Sequence, residues 1–202
     1  MPTRTFTNLP KEKRLRILRA AKKEFSRVPL EKAVIANIVK DAEIPRGSFY
    51  QYFENVDDLF IYLMNYMYGI DQRRFTKCVE EKNGDVYEAL KLKFSKEIDK
   101  LTTEENRQFR INVFSTLFND PKKARMHPGM MEKQNPVGIV NFSETQQKSK
   151  GTNSFAEIIK MIGFFCLQKY LANQASEKEI KTYYNSCIDF IKMGFNGPQA
   201  AF

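Results

Sequence analysis

Ile38-Val-Lys-Asp-Ala-Glu-Ile-Pro-Arg-Gly-Ser-Phe-Tyr-Gln-Tyr-Phe53 sets two short helical patterns on either side of a break, within sixteen residues. Val34, Ile35, Ile38, Val39 and Ala42 recur at steps of three and four and make one apolar stripe on a short helix. Pro45 suits the first turn of a second helix, where its missing N–H would be unpaired anyway, and it pushes Ile44 away from helical backbone. The chain must therefore bend at Glu43 and Ile44. Beyond the bend Phe49 and Phe53 share a face flanked by Tyr52, while Arg46, Gly47, Ser48, Tyr50 and Gln51 point elsewhere. This outward set carries hydrogen-bond donors and little bulk at its start. The pattern predicts a helix-turn-helix.

Charge is concentrated at the same end. Residues 1–56 hold twelve Lys and Arg against six Asp and Glu, a net +6 of the +9 total. A basic quarter joined to a near-neutral remainder is what an electrostatic footprint for phosphates looks like. A solubilising charged face on a small helical domain would give the same count. The helix-turn-helix pattern favours nucleic acid.

At 202 residues and 42% hydrophobic content the chain can build a sizeable core. The start, Met1 to Pro10, lacks the apolar run of a signal peptide, and no apolar stretch reaches the about 20 residues that span a bilayer. A cytoplasmic protein with no membrane partner is expected. Cys78, Cys166 and Cys187 are odd in number, far apart and without CxxC spacing, so neither a disulfide framework nor a metal site is indicated. With one histidine, His127, no Gly-rich phosphate loop and no nucleophile or carboxylate constellation, neither an enzyme nor a cofactor is expected.

Helical patterns fill most of the chain, so the fold class is all-α. The first runs from about Pro10 to Arg27, with Ile17, Leu18, Ala21 and Phe25 as its stripe, and Val28-Pro29 ends it. After the two short helices, Asn55 is the N-cap of a long helix whose first turn carries Asp57 and Asp58. Asn83-Gly84-Asp85 breaks it. Val86, Leu90, Phe94 and Ile98 mark the next helix, and Phe109, Val113, Phe114, Leu117 and Phe118 the one after Thr103. Periodicity fails between Asp120 and Ser154, with one short helix predicted over residues 124–131. Two last helices follow, about Phe155–Asn173 and Glu177–Phe195, the latter opened by a Ser176/Glu179 capping box.

Arg14-x-x-Ile17-Leu18-x-Ala20-Ala21-x-x-x-Phe25, then Ile38-x-x-x-Ala42-x-Ile44-x-x-Gly47-Ser48-Phe49-Tyr50-x-Tyr52-Phe53 and Asp57-Asp58-Leu59, resembles the N-terminal domain of the TetR (tetracycline repressor-like) transcriptional regulators. The resemblance implies a three-helix DNA-binding head, residues 1–56, and a larger helical body for ligand binding and dimerisation, residues 57–202. It further implies a homodimer formed by the last two helices and repression relieved by a small-molecule inducer. It places Arg46, Gly47, Ser48, Tyr50, Gln51 and Tyr52 in or beside the major-groove helix, with Tyr50 and Tyr52 near phosphates.

Side-chain chemistry agrees. Arg46 can reach guanine O6/N7 or a phosphate, Gln51 can pair with an adenine edge, Gly47 lets the backbone come close, and Ser48 and Tyr50 can donate to phosphate oxygens. Tyr52 also fits the core. Four residues depart from the family pattern. Ala33 and Val34 replace hydroxyl residues at the start of the second helix, Glu43 replaces the turn glycine, and Val56 replaces a lysine. Lys11, Lys13, Arg14 and Lys32 are the expected compensating phosphate contacts.

In the body, Phe94, Phe109, Phe114, Phe118, Phe165, Met126 and Met130 are the residues expected to line an apolar or amphipathic ligand site; ordinary core packing is the alternative for each. Ile158, Ile162 and Phe165 with Tyr183, Ile188 and Ile191 are expected to form the dimer surface, since helices apolar on more than one side want two partners. A two-fold dimer would present its recognition helices about 34–36 Å apart, which implies a palindromic operator on double-stranded DNA. The competing reading is a helical interaction protein using its basic head on an acidic protein partner or a membrane surface.

Overall fold

A computed structural model describes residues 2–120 and 151–196; Met126, Met130, His127 and the helix expected over residues 124–131 lie outside them. Its helices are α1 (Arg4–Thr7), α2 (Lys11–Arg27), a 3-10 turn (Leu30–Lys32), α3 (Ile35–Asp41), α4 (Arg46–Tyr52), α5 (Val56–Glu81), α6 (Val86–Lys100), α7 (Glu104–Asn119), α8 (Gly151–Leu171) and α9 (Glu177–Asn196). Among the described residues there is no strand, and the all-α class holds.

These residues divide into two compact units. The first takes residues 2–70 and 102–120, the second residues 71–101 and 151–196. The first unit therefore extends past residue 56: its core combines Ile17, Ala21 and Phe25 of α2, Ile38 of α3, Phe49 of α4 and Leu59 and Phe60 of α5 with Phe109, Val113 and Leu117 of α7. Removing one such buried phenylalanine costs about 3–5 kcal/mol. Buried polar groups join α7 to the end of α2. Asn112 Nδ2 donates to the carbonyls of Phe25 (2.9 Å) and Ser26 (3.0 Å), which α2 leaves without helical partners.

Besides the 3-10 turn, one helix was not expected. Thr3 caps a single turn, α1, which carries Phe6 to complete burial against Tyr52, Phe53 and Tyr62. Four residues are too few to show a period.

In the second unit α6 and α9 run antiparallel. Asp85 pairs with Lys192, Lys91 with Asp189 and Asp99 with Lys181, the α9 partner falling in number as the α6 partner rises. Ala89, Leu90, Phe94 and Ile98 face a core shared with Ile180, Tyr184 and Ile188, in which the Phe94 and Tyr184 rings stack at 3.9 Å. The expected capping box is present: Glu179 N–H donates to Ser176 Oγ, and Glu179 Oε2 accepts from Ser176 N–H at 2.8 Å.

Candidate nucleic-acid interface

The turn between α3 and α4 is built by its backbone. Glu43 adopts φ 51°, the left-handed conformation expected where a glycine is usual. Glu43 N–H bonds Lys40 O (3.1 Å) and Ile44 N–H bonds Val39 O (3.0 Å), the two crossed bonds of a Schellman ending. Val39 and Ile44 are both buried, supplying its hydrophobic contact. Left-handed backbone costs a non-glycine residue about 1 kcal/mol. The side chain is not wasted: Glu43 Oε2 accepts from Arg16 Nη1 at 3.0 Å, so the carboxylate facing this surface is neutralised from α2.

A second carboxylate holds the start of α3. Val34 gives no side-chain cap, as its lack of a hydroxyl requires. Instead Glu24, on α2 and 3% exposed, accepts from Val34 N–H at 2.8 Å and from Asn37 Nδ2 at 3.2 Å. Arg27 closes on it with two bonds, Nε at 2.9 Å and Nη2 at 2.6 Å. Burial alone would raise the Glu24 carboxyl, but the bonds from Arg27, Val34 and Asn37 together with the guanidinium charge hold it below the ordinary glutamate range. No sequence period connects these residues, and the spacing of Glu24 to Val34 gave no hint of them.

With the turn and α3 fixed, α4 is oriented by burying Phe49 completely, with Phe53 beyond its end. Arg46, Gly47, Tyr50 and Gln51 are exposed and Ser48 is half-buried, so five of the six residues expected on this helix surface stand on one accessible side. A Cβ added at Gly47 would meet nothing within 4 Å, so packing inside the protein does not demand glycine there. Tyr52 follows its core reading rather than the phosphate-contact one. It is 4% exposed and lies edge-on to Phe6, so its ring belongs to the core, with Lys13 Nζ 6.0 Å from its centroid.

The flanking basic residues divide similarly. Lys11 and Lys32 are exposed. Lys13 is half-buried beside Tyr52, whereas Arg14 donates from Nη1 to Thr7 O at 2.8 Å and ties down α1. Arg16, missed by sequence reading, is the basic residue at the turn itself.

This arrangement has a match among known proteins. Residues 17–63 match the family described as bacterial regulatory proteins, tetR family. The match runs from α2 to the start of α5 and so spans both helices of the bend. TetR-family solved structures also share the fold over most of the chain. A TetR-family transcriptional regulator of Rhodococcus sp. superposes with TM-score 0.69 at 16% identity, over 90% of this chain and 99% of that one. A transcriptional regulator of Pseudomonas aeruginosa PAO1 gives 0.69 at 15% identity, over 94% and 95%. FadR of Bacillus subtilis, solved in complex with stearoyl-CoA, gives 0.57 at 16% identity, over 88% and 96%. No curated protein sequence matches the chain. The family match thus covers the helix-turn-helix, and the solved structures show the shared fold of the chain.

The residues expected to line a ligand site or a dimer surface in the body are distributed unevenly. Phe109 is buried in the first unit's core and Phe114, also in that unit, lies under Arg110 at 6.0 Å. Phe94 is buried in the second unit against Tyr184. Phe165 is 43% exposed, its ring 6.2 Å from Tyr183. The side chain of Phe118 lies outside those described. Of the dimer set, Ile158, Phe165 and Tyr183 are exposed, Ile162 and Ile191 are half-buried, and Ile188 is fully buried. Ile188 therefore packs its own unit rather than a partner. Met161, Phe190 and Met193, outside that set, are exposed on the same two helices. No helix among the described residues is long and apolar enough to cross a membrane.

Proposed function

We propose that this protein is a ligand-responsive repressor that binds a palindromic operator as a homodimer and is released by a small hydrophobic or amphipathic molecule. The observation that carries it is α4, which buries Phe49 while presenting Arg46, Gly47, Ser48, Tyr50 and Gln51 outward. Arg46 and Gln51 are the base-reading pair; Ser48 and Tyr50 position the helix on phosphates, aided by Lys11, Lys13 and Lys32.

The homodimer is supported by the exposed apolar residues of α8 and α9. Ile158, Met161 and Phe165 recur along one side of α8, Tyr183, Phe190 and Met193 along one side of α9, and the Phe165–Tyr183 contact joins the two stripes. Such a continuous exposed patch marks an association surface. An apolar or amphipathic inducer is supported by the Phe and Met content of the body, and FadR, of the same fold, was solved with the amphipathic stearoyl-CoA. A ligand releases the operator only insofar as it binds the non-docking conformation more tightly.

The test is selection of fragments bound from the source genome, followed by protection mapping at several salt concentrations. A symmetric protected site with steep salt dependence, released by apolar compounds, supports the reading. Equal weak binding to every polyanion refutes it and leaves the acidic-partner alternative.

A further inference from the structure

The N-terminal turn, outside the family-matched residues 17–63, is built against the recognition helix. Thr3 Oγ1 donates to Gln51 O at 2.6 Å and Thr3 N–H donates to Tyr52 O at 3.0 Å, satisfying two carbonyls that the C-terminal end of α4 leaves open. Phe6 is buried completely against Tyr52, Phe53 and Tyr62. At the far end of the turn, Thr7 O accepts from Arg14. The segment is thus held at three points.

This fixes where Arg4 stands. It follows Thr3 directly, and Thr3 is bonded to the backbone of Gln51, whose side chain is on the exposed side of α4. Arg4 is itself exposed, and among the described residues its guanidinium has no carboxylate partner. A turn needed only to anchor Phe6 and cap α4 would be served by any residue at position 4. An arginine brings a fixed charge and a planar fork of donors suited to phosphate. We propose that Arg4 is an additional DNA-backbone contact, positioned beside the end of the recognition helix by Thr3 and Phe6. The proposal rests on the DNA-binding reading and adds to it a residue outside the helix-turn-helix.

The full chain and its Arg4→Ala and Arg4→Lys variants are titrated with a duplex fragment selected by the unaltered protein, and with unrelated duplex, between 50 and 300 mM salt. Removing one phosphate contact weakens binding to both duplexes by a similar factor, roughly 3- to 10-fold at the lowest salt, and makes the slope of log K against log salt shallower by about 1. Arg4→Lys keeps the slope, and all three proteins melt at the same temperature because the side chain is exposed. An unchanged slope in Arg4→Ala overturns this proposal while the repressor reading stands. Failure of the unaltered protein to bind duplex DNA overturns both.

Discussion

Arg16 and Glu43, 27 positions apart in sequence, form an ion pair of 3.0 Å across the helix-turn-helix bend. Glu43 holds left-handed backbone there, so one residue carries both a conformational cost and a charge of the wrong sign for DNA, and Arg16 offsets the second. Glu43→Gly removes the backbone cost of about 1 kcal/mol and also the exposed pair, which is worth about 0–1 kcal/mol. Stability is therefore expected to stay level or rise by up to about 1 kcal/mol in urea melts, with DNA affinity rising and the salt slope steepening by about 1 as Arg16 is freed. A loss of affinity would show that Glu43 itself takes part in docking.

Glu24 makes the head sensitive to acid. Its carboxyl lies below the ordinary value of 4.5 in the folded state, so between the two values the unfolded chain binds more protons. The stabilisation is present in full above about 4.5 and is lost as pH falls through the lower folded value. Glu24→Gln is expected to cost about 1–2 kcal/mol at pH 7, and Glu24→Ala more, since Val34 N–H and Asn37 then lose their acceptor. Thermal melts from pH 7 to pH 3 should show the gap between the native protein and Glu24→Gln closing at the acid end. A gap independent of pH would refute the ionised hub.

The bend, α3 and α4 were legible because apolar spacing and Pro45 are local signals that tertiary packing did not override. Residues at the edge of a stripe were less so. Tyr52 and Ile188 each sit where a helix face turns from core to surface, and neighbouring elements decide the side: Phe6 from α1 covers Tyr52, and the α6/α9 packing encloses Ile188. The pairs Arg16–Glu43 and Glu24–Val34 join different elements, so no periodicity could expose them. Their traces are only negative: a missing glycine and a missing hydroxyl each required a substitute, and the sequence does not say where it comes from.

On α4, substitutions should separate reading from positioning. Gln51→Ala is expected to lower operator affinity by about 1–3 kcal/mol while relaxing preference at one base pair, leaving binding to unrelated DNA unchanged. Tyr50→Phe should weaken both duplexes together, because it removes a hydroxyl assigned to a phosphate. Selection of bound sequences from a randomised site with each variant distinguishes the two patterns. If Gln51→Ala lowers all sequences equally, Gln51 does not read a base.

The exposed residues of α8 and α9 predict a dimer that can be broken without unfolding the chain. Phe190 is 80% exposed and Met161 71%, whereas Ile188 on α9 is fully buried. Phe190→Asp and Met161→Asp place a charge that an apolar interface must desolvate, a cost of several kcal/mol, while the isolated protomer keeps it in water. Sedimentation at micromolar concentration should therefore shift from dimer to monomer with helical circular dichroism unchanged. Ile188→Asp, in contrast, should lose helicity and thermal stability together. The monomeric variants should keep weak, salt-dependent binding to a half-site yet lose most operator affinity, because two linked heads gain a large effective concentration that one head lacks. A variant that stays dimeric with Asp at both Phe190 and Met161 would place the association surface elsewhere.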